Sequence, residues 1–129
     1  MTVQPAATLT ITFQRSGRSQ ERSGTTSPAR IPRVARLLAF AHEIERRIRA
    51  GELNDLAHAA RVFGLTRARV TQIVSLTLLA PAIQEEILVL PPITVGRDPL
   101  TERSLRPLVA EPLWDRQMAM WEQLLKEPI

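Results

Sequence analysis

The chain contains no cysteine and no tyrosine. The first absence excludes disulfides, thiolate nucleophiles and cysteine-held zinc or iron–sulfur centres, and it leaves the redox compartment open. The second excludes tyrosine nucleophiles. Lysine is almost missing as well: sixteen of the 17 basic residues are arginine, and Lys126 is the exception. Two histidines, His42 and His58, are too few for a histidine-rich metal centre. No apolar run approaches the roughly 20 residues that span a bilayer. The longest candidates, 73–83 and 87–93, are short and broken by Ser, Thr and Pro. No metal, no cofactor and no membrane partner are therefore expected.

What remains is 129 residues that are 44% hydrophobic and 23% charged, enough for one compact domain and a tail. The formal net charge of +4 is unevenly placed. Residues 1–33 hold Arg15, Arg18, Arg22, Arg30 and Arg33 against Glu21 alone, whereas residues 34–129 balance twelve bases with twelve acids. The same N-terminal stretch is rich in Ser, Gly and Thr and cannot bury enough apolar surface to offset its ordering entropy. Residues 1–30 are thus expected to form a flexible basic arm, with 14–30 disordered. The five arginines of residues 1–33 suit phosphate contacts along a polyanion, most often nucleic acid. Its composition also resembles an organelle transit peptide, but Gly, Pro and Glu21 interrupt any amphipathic helix. No basic segment precedes an apolar core, so a secretory signal is not expected. Within the arm, residues 8–13 alternate Leu9, Ile11 and Phe13 with threonines, the period-two pattern of a short strand.

From residue 31 the pattern is helical. Pro32 suits a first turn. Val34, Leu37, Leu38, Ala41, Ile44 and Ile48 then recur at helical spacing until Gly51, a natural stop, which predicts a helix over 32–50. Asn54 or Asp55 caps a second helix through Phe63, and Gly64 permits a sharp turn through positive φ. Thr66 caps a third helix running to about Leu79. Pro81 opens a fourth, ending near Leu90 before Pro91-Pro92. Thr101 starts a short helix through Leu105, Leu108 and Val109. Pro112 opens a last one, on which Leu113, Trp114, Met118, Trp121 and Leu125 form a stripe. The expected fold class is all-α, with five or six helices over residues 31–127.

The run from Leu56 to Ser75, LAHAARVFGLTRARVTQIVS, carries the functional signal. Two helices crossing steeply need small residues at the crossing, a glycine in the turn and branched residues to lock the second helix. Ala59 and Ala60, Gly64, then Val70 and Ile73 supply these, with Leu65 plugging the core. A helix-turn-helix is therefore expected over about 55–79. At 100° per residue, Val70, Ile73, Val74 and Thr77 fall inward. Ala68, Thr71, Gln72 and Ser75 fall opposite, flanked by Arg67 and Arg69. No acidic residue occurs from Arg61 to Gln84. Small side chains let a helix approach base edges. Gln pairs with adenine, and Arg with guanine or phosphate. The candidate DNA-binding residues are Thr66, Arg67, Ala68, Arg69, Thr71, Gln72 and Ser75. A helical hairpin that only builds a bundle is the ordinary alternative.

This unit followed by LTLLAPAIQEEIL resembles the central DNA-binding domain of ParB-type partition proteins and KorB-like repressors. The later LTERSLRPLVAEPLWDRQMAMWEQLL is similar to the family's next segment, so the resemblance covers residues 53 to 125. It implies sequence-specific reading of double-stranded DNA through Thr66, Arg67, Arg69, Thr71 and Gln72. The family's CTP-binding domain is not expected, because residues 1–31 are too short for it and their arginines form no such motif. Its C-terminal dimerisation domain is not expected either, with only three residues after Lys126.

An enzyme is not expected. His42 lies near Glu43 and Glu45, but no nucleophile or oxyanion motif accompanies it, and both histidines read as surface or boundary residues. Ser104 and Ser75 read as capping and surface residues, and Glu85-Glu86 as a solvated helix face. Trp114 and Trp121, seven apart, read as core or as a dimer seam. The expected function is regulation of transcription, partition or recombination on a bacterial replicon or mobile element, in the cytoplasm and associated with the nucleoid. Double-stranded DNA is the main partner, with a homodimer and a recombinase or other DNA-processing protein as further ones. The competing expectation is a protein–protein adaptor that docks to such a partner without reading DNA.

Overall fold

A computed structural model describes residues 29–126. The expected strand over 8–13 and Arg15, Arg18 and Arg22 lie outside the described residues. The described residues form six α-helices in order: α1 (Arg33–Arg49), α2 (Leu56–Phe63), α3 (Arg67–Val74), α4 (Pro81–Leu88), α5 (Glu102–Ala110) and α6 (Trp114–Lys126). Among the described residues there is no strand, only an antiparallel bridge between Arg30 and Ile93. None of these helices is long and apolar enough to cross a membrane.

The centre of the fold is α1. It packs on α3, α4 and the 3-10 turn after α3, while α2 packs on α3 and α5 on α6. Its apolar face is wider than one stripe: Ala35 and Phe40 are buried beside Val34, Leu37, Leu38, Ala41 and Ile44. Phe40 meets Phe63 of α2 edge-on, with ring centroids 4.9 Å apart. Gly51, at φ +81°, ends α1 as its spacing predicts.

On the outer side of α1, Glu43 accepts hydrogen bonds from Arg46 at 3.0 and 3.1 Å and from Arg47 at 2.8 Å. The Arg46 bonds, then those of Arg47, outweigh the opposing effect of burial and lower the Glu43 pKa from 4.5 to about 2. A depressed folded-state pKa adds stability above pH 4.5, and that stability is lost as pH falls toward 2. Unfolding midpoints of wild type and Glu43→Gln should therefore differ most at neutral pH and converge across that acid window. A constant difference would show that the Glu43 charge adds nothing.

Three boundaries depart from expectation for identifiable reasons. The third helix does not run unbroken to Leu79; it tightens to a 3-10 turn over Ser75–Leu78. Ser75 Oγ donates to the Gln72 carbonyl at 2.7 Å and Thr77 Oγ1 to that of Val74 at 2.8 Å, side-chain bonds that compete with the helix ladder. α4 stops at Leu88, two residues short, where Val89 leaves helical geometry ahead of Pro91. Arg30 does not belong to a free arm. Its backbone pairs with Ile93 in both directions at 2.9 and 2.8 Å.

The last helix also differs. The expected stripe splits: Trp121 is buried, Met118 is half-buried, and Leu113, Trp114 and Leu125 are exposed. The residue one turn before Trp121 on the buried face is a polar one, Gln117. Its Oε1 accepts from the Ala80 N–H at 2.7 Å, and its Nε2 donates to the carbonyls of Leu78 and Glu111. Gln117 thus satisfies backbone groups where the chain passes from the 3-10 turn into α4, a role an apolar residue could not fill.

Candidate nucleic-acid interface

The α2–α3 unit is assembled by local rules. Asp55 caps α2 by accepting from the His58 N–H at 2.9 Å, and His58 Nδ1 accepts from the Asn54 N–H at 3.0 Å. His58 thus takes part in closing the start of α2, and His42 hydrogen-bonds Gln84 at 2.6 Å. Gly64 ends α2 in the left-handed region at φ +69°. Two residues later Thr66 Oγ1 accepts from the Arg69 N–H at 3.0 Å and starts α3. Ala59 and Ala60 of α2 and Val70 and Ile73 of α3 are all buried in the core that the two packed helices share. Leu65 is half-buried and packs at the edge of the core.

With Val70 and Ile73 facing inward, the other side of α3 is open. Thr66, Arg67, Ala68, Thr71 and Gln72 are exposed. Arg67 forms no ion pair among the described residues. Arg69 and Ser75 differ from the rest. Ser75 is half-buried, and its hydroxyl is turned back to the Gln72 carbonyl. Arg69 is half-buried and pairs with Glu102, the first residue of α5, at 2.8 Å. The same Arg69 Nη1 donates to Gln72 Oε1 at 3.2 Å. Arg69 is thus committed within the fold and orients Gln72, leaving the Gln72 amide NH₂ free as a donor. Nothing near Arg69 in sequence announces Glu102, which lies 33 residues away.

No protein-family model, curated protein or solved structure matches the chain. What the unit can do follows from its own residues. A short helix that carries a free arginine, small side chains and an anchored glutamine, with no carboxylate of its own, presents positive charge and amide hydrogen bonds to whatever it meets.

The two arm arginines that the structure describes sit elsewhere. Arg30 donates to Asp98 at 2.6 Å and to the Gly96 carbonyl at 3.1 Å. The other Asp98 oxygen accepts from the Arg33 N–H at 2.8 Å, so Asp98 caps α1 where Pro32 has no side chain to do so. Burial opposes ionisation of Asp98, but the Arg33 N–H and the Arg30 guanidinium outweigh it and lower its pKa. The Arg33 guanidinium remains exposed. Among the described residues no cluster of histidine and carboxylate side chains could hold a metal ion.

Proposed function

We propose that the chain is a sequence-specific double-stranded DNA-binding protein in which α2, the Gly64 turn and α3 form a helix-turn-helix. The observation that carries this reading is the outer face of α3, which has no carboxylate of its own and exposes Arg67, Ala68, Thr71 and Gln72 over a helix locked by Val70 and Ile73. Arg67 supplies a bidentate donor for guanine or phosphate, and the Gln72 amide suits an adenine edge. The small Ala68 and Thr71 keep the helix axis close to the groove floor. The N-terminus of α3 adds positive potential. Arg69 acts through Gln72 as a positioning residue.

The resemblance to ParB and KorB proteins over residues 53 to 125 points the same way. It suggests regulation of transcription, partition or recombination on a bacterial replicon, without catalysis, in the cytoplasm on nucleoid DNA. A homodimer would read two half-sites about one helical turn apart. A second reading, an adaptor docking to a recombinase or similar protein, draws on the exposed apolar residues Leu78, Leu113 and Trp114.

Titration of full-length protein on duplex DNA at several salt concentrations separates the two. A DNA reader binds tightly, with log K falling as salt rises; an adaptor elutes early from heparin and gives no duplex titration. Removing residues 1–28 takes away Arg15, Arg18 and Arg22 together with Glu21. The salt slope should then become shallower by up to about 2–3 units, with base preference retained. An unchanged slope would mean that these arginines touch no phosphate.

A further inference from the structure

A cleft of about 440 Å³ opens where the start of α1, the loop before α5 and the first turns of α5 converge. Five arginines line it: Arg30, Arg33, Arg36, Arg103 and Arg106. Among the described residues only two carboxylates, Asp98 and Glu102, share the space, and both are already engaged. Asp98 holds Arg30 and the start of α1. Glu102 holds Arg69 from the neighbouring face.

The guanidinium groups of Arg33, Arg36, Arg103 and Arg106 consequently form no hydrogen bond and no ion pair among the described residues. Arg36 is the most telling. Among the described residues its Nε is buried with no acceptor, a costly arrangement unless something else supplies one; Asp98 acts on Arg36 through its charge alone. Two helices, α1 of 17 residues and α5 of 9, also begin at the cleft and add the positive ends of their dipoles.

We infer that this cleft binds a run of linked phosphates. Several planar guanidiniums around one concave space match adjacent phosphate groups, each of which accepts paired N–H donors. The volume lies within the range of small-ligand pockets, about 300–1,000 Å³, so it holds more than one phosphate. Two sources carry this chemistry: a free oligophosphate, or consecutive phosphates of a DNA strand. Arg106 also lines the groove beside Gln72 and Ser75, so a strand passing α3 could continue into the cleft. The DNA source rests on the function proposed above; the oligophosphate source does not.

The test uses the full chain, inorganic triphosphate as the probe, and calorimetry with thermal melting as the readouts. Triphosphate should bind saturably to wild type and to Arg49→Ala, a substitution at the far end of α1. Arg103→Ala and Arg106→Ala, both at exposed residues, should each bind it about ten-fold more weakly, the loss of one charge-assisted contact. Arg36→Met should do the same; if it fails to fold, the two exposed variants decide.

If DNA is the source, triphosphate competes with duplex and Arg106→Ala weakens duplex binding too. If a free oligophosphate is the source, duplex binding responds to neither. Gln72→Ala should weaken duplex binding and leave triphosphate binding intact. Triphosphate binding without any duplex binding would remove the DNA-reading proposal and keep the cleft. Equal triphosphate binding by wild type, Arg103→Ala and Arg106→Ala would overturn the cleft assignment, as would an equal loss in Arg49→Ala.

Discussion

Replacing Trp121 by alanine should destabilise the protein by about 3–5 kcal/mol, the range for deleting a fully buried indole. Trp121 is 1% exposed and sits in the core with residues of α1, α4 and α5. Its Nε1 donates to Glu86 Oε1 at 2.8 Å and ties α6 to α4. Alanine would leave a cavity between those helices and break the tie. A domain of this size has only about 5–15 kcal/mol to lose, so the variant should be partly unfolded at moderate temperature. Trp114→Ala is the internal control. Trp114 is 56% exposed on the same helix, and its removal should cost no more than about 0.5 kcal/mol. Urea midpoints of the two variants test this directly. Equal midpoints would mean that α6 is not docked through Trp121.

The second large effect concerns α3. Arg67→Ala and Gln72→Ala should each weaken binding to the preferred duplex by about 1–3 kcal/mol and relax discrimination at one base pair. Combined, they should cost about 2–6 kcal/mol, a loss of about thirtyfold or more. Folding should be unaffected, because both residues are exposed while Val70 and Ile73 do the packing. Arg69→Ala should give a milder loss of specificity, since it releases Gln72 from its hydrogen bond without removing a donor aimed at the groove. The measurement is anisotropy titration on the preferred duplex and on single-base variants of it. Wild-type affinity in both Arg67→Ala and Gln72→Ala would rule out α3 as the reader.

Features governed by short-range rules are legible in this chain. The limits of α1, the positive φ of Gly64, the Thr66 cap and the capping box that pairs Thr101 with Ser104 all follow from residues within four positions of one another. The open face of α3 is legible for the same reason, because helical periodicity fixes what lies opposite Val70.

Contacts between distant elements were not legible. Arg30 and Asp98, 68 residues apart, meet only because the extended residues around Arg30 and Ile93 pair. Arg69 and Glu102 meet because α5 starts beside α3. Gln117 reads as a polar helix position, yet it is buried to satisfy backbone groups that are themselves set by the 3-10 turn. The arginine cleft belongs to this second class. Arg36, Arg103 and Arg106 look like ordinary solvated positions until α1 and α5 are brought together.

The most direct measurement of the central claim is selection of bound sequences from random duplex DNA, run in parallel with wild type and the Arg67→Ala/Gln72→Ala variant. Wild type should enrich one motif, arranged as a palindrome with half-sites about one helical turn apart if a dimer reads it, and the variant should fail to enrich it while keeping its fold. No enrichment by wild type, or the same motif recovered by both proteins, would contradict a recognition role for α3.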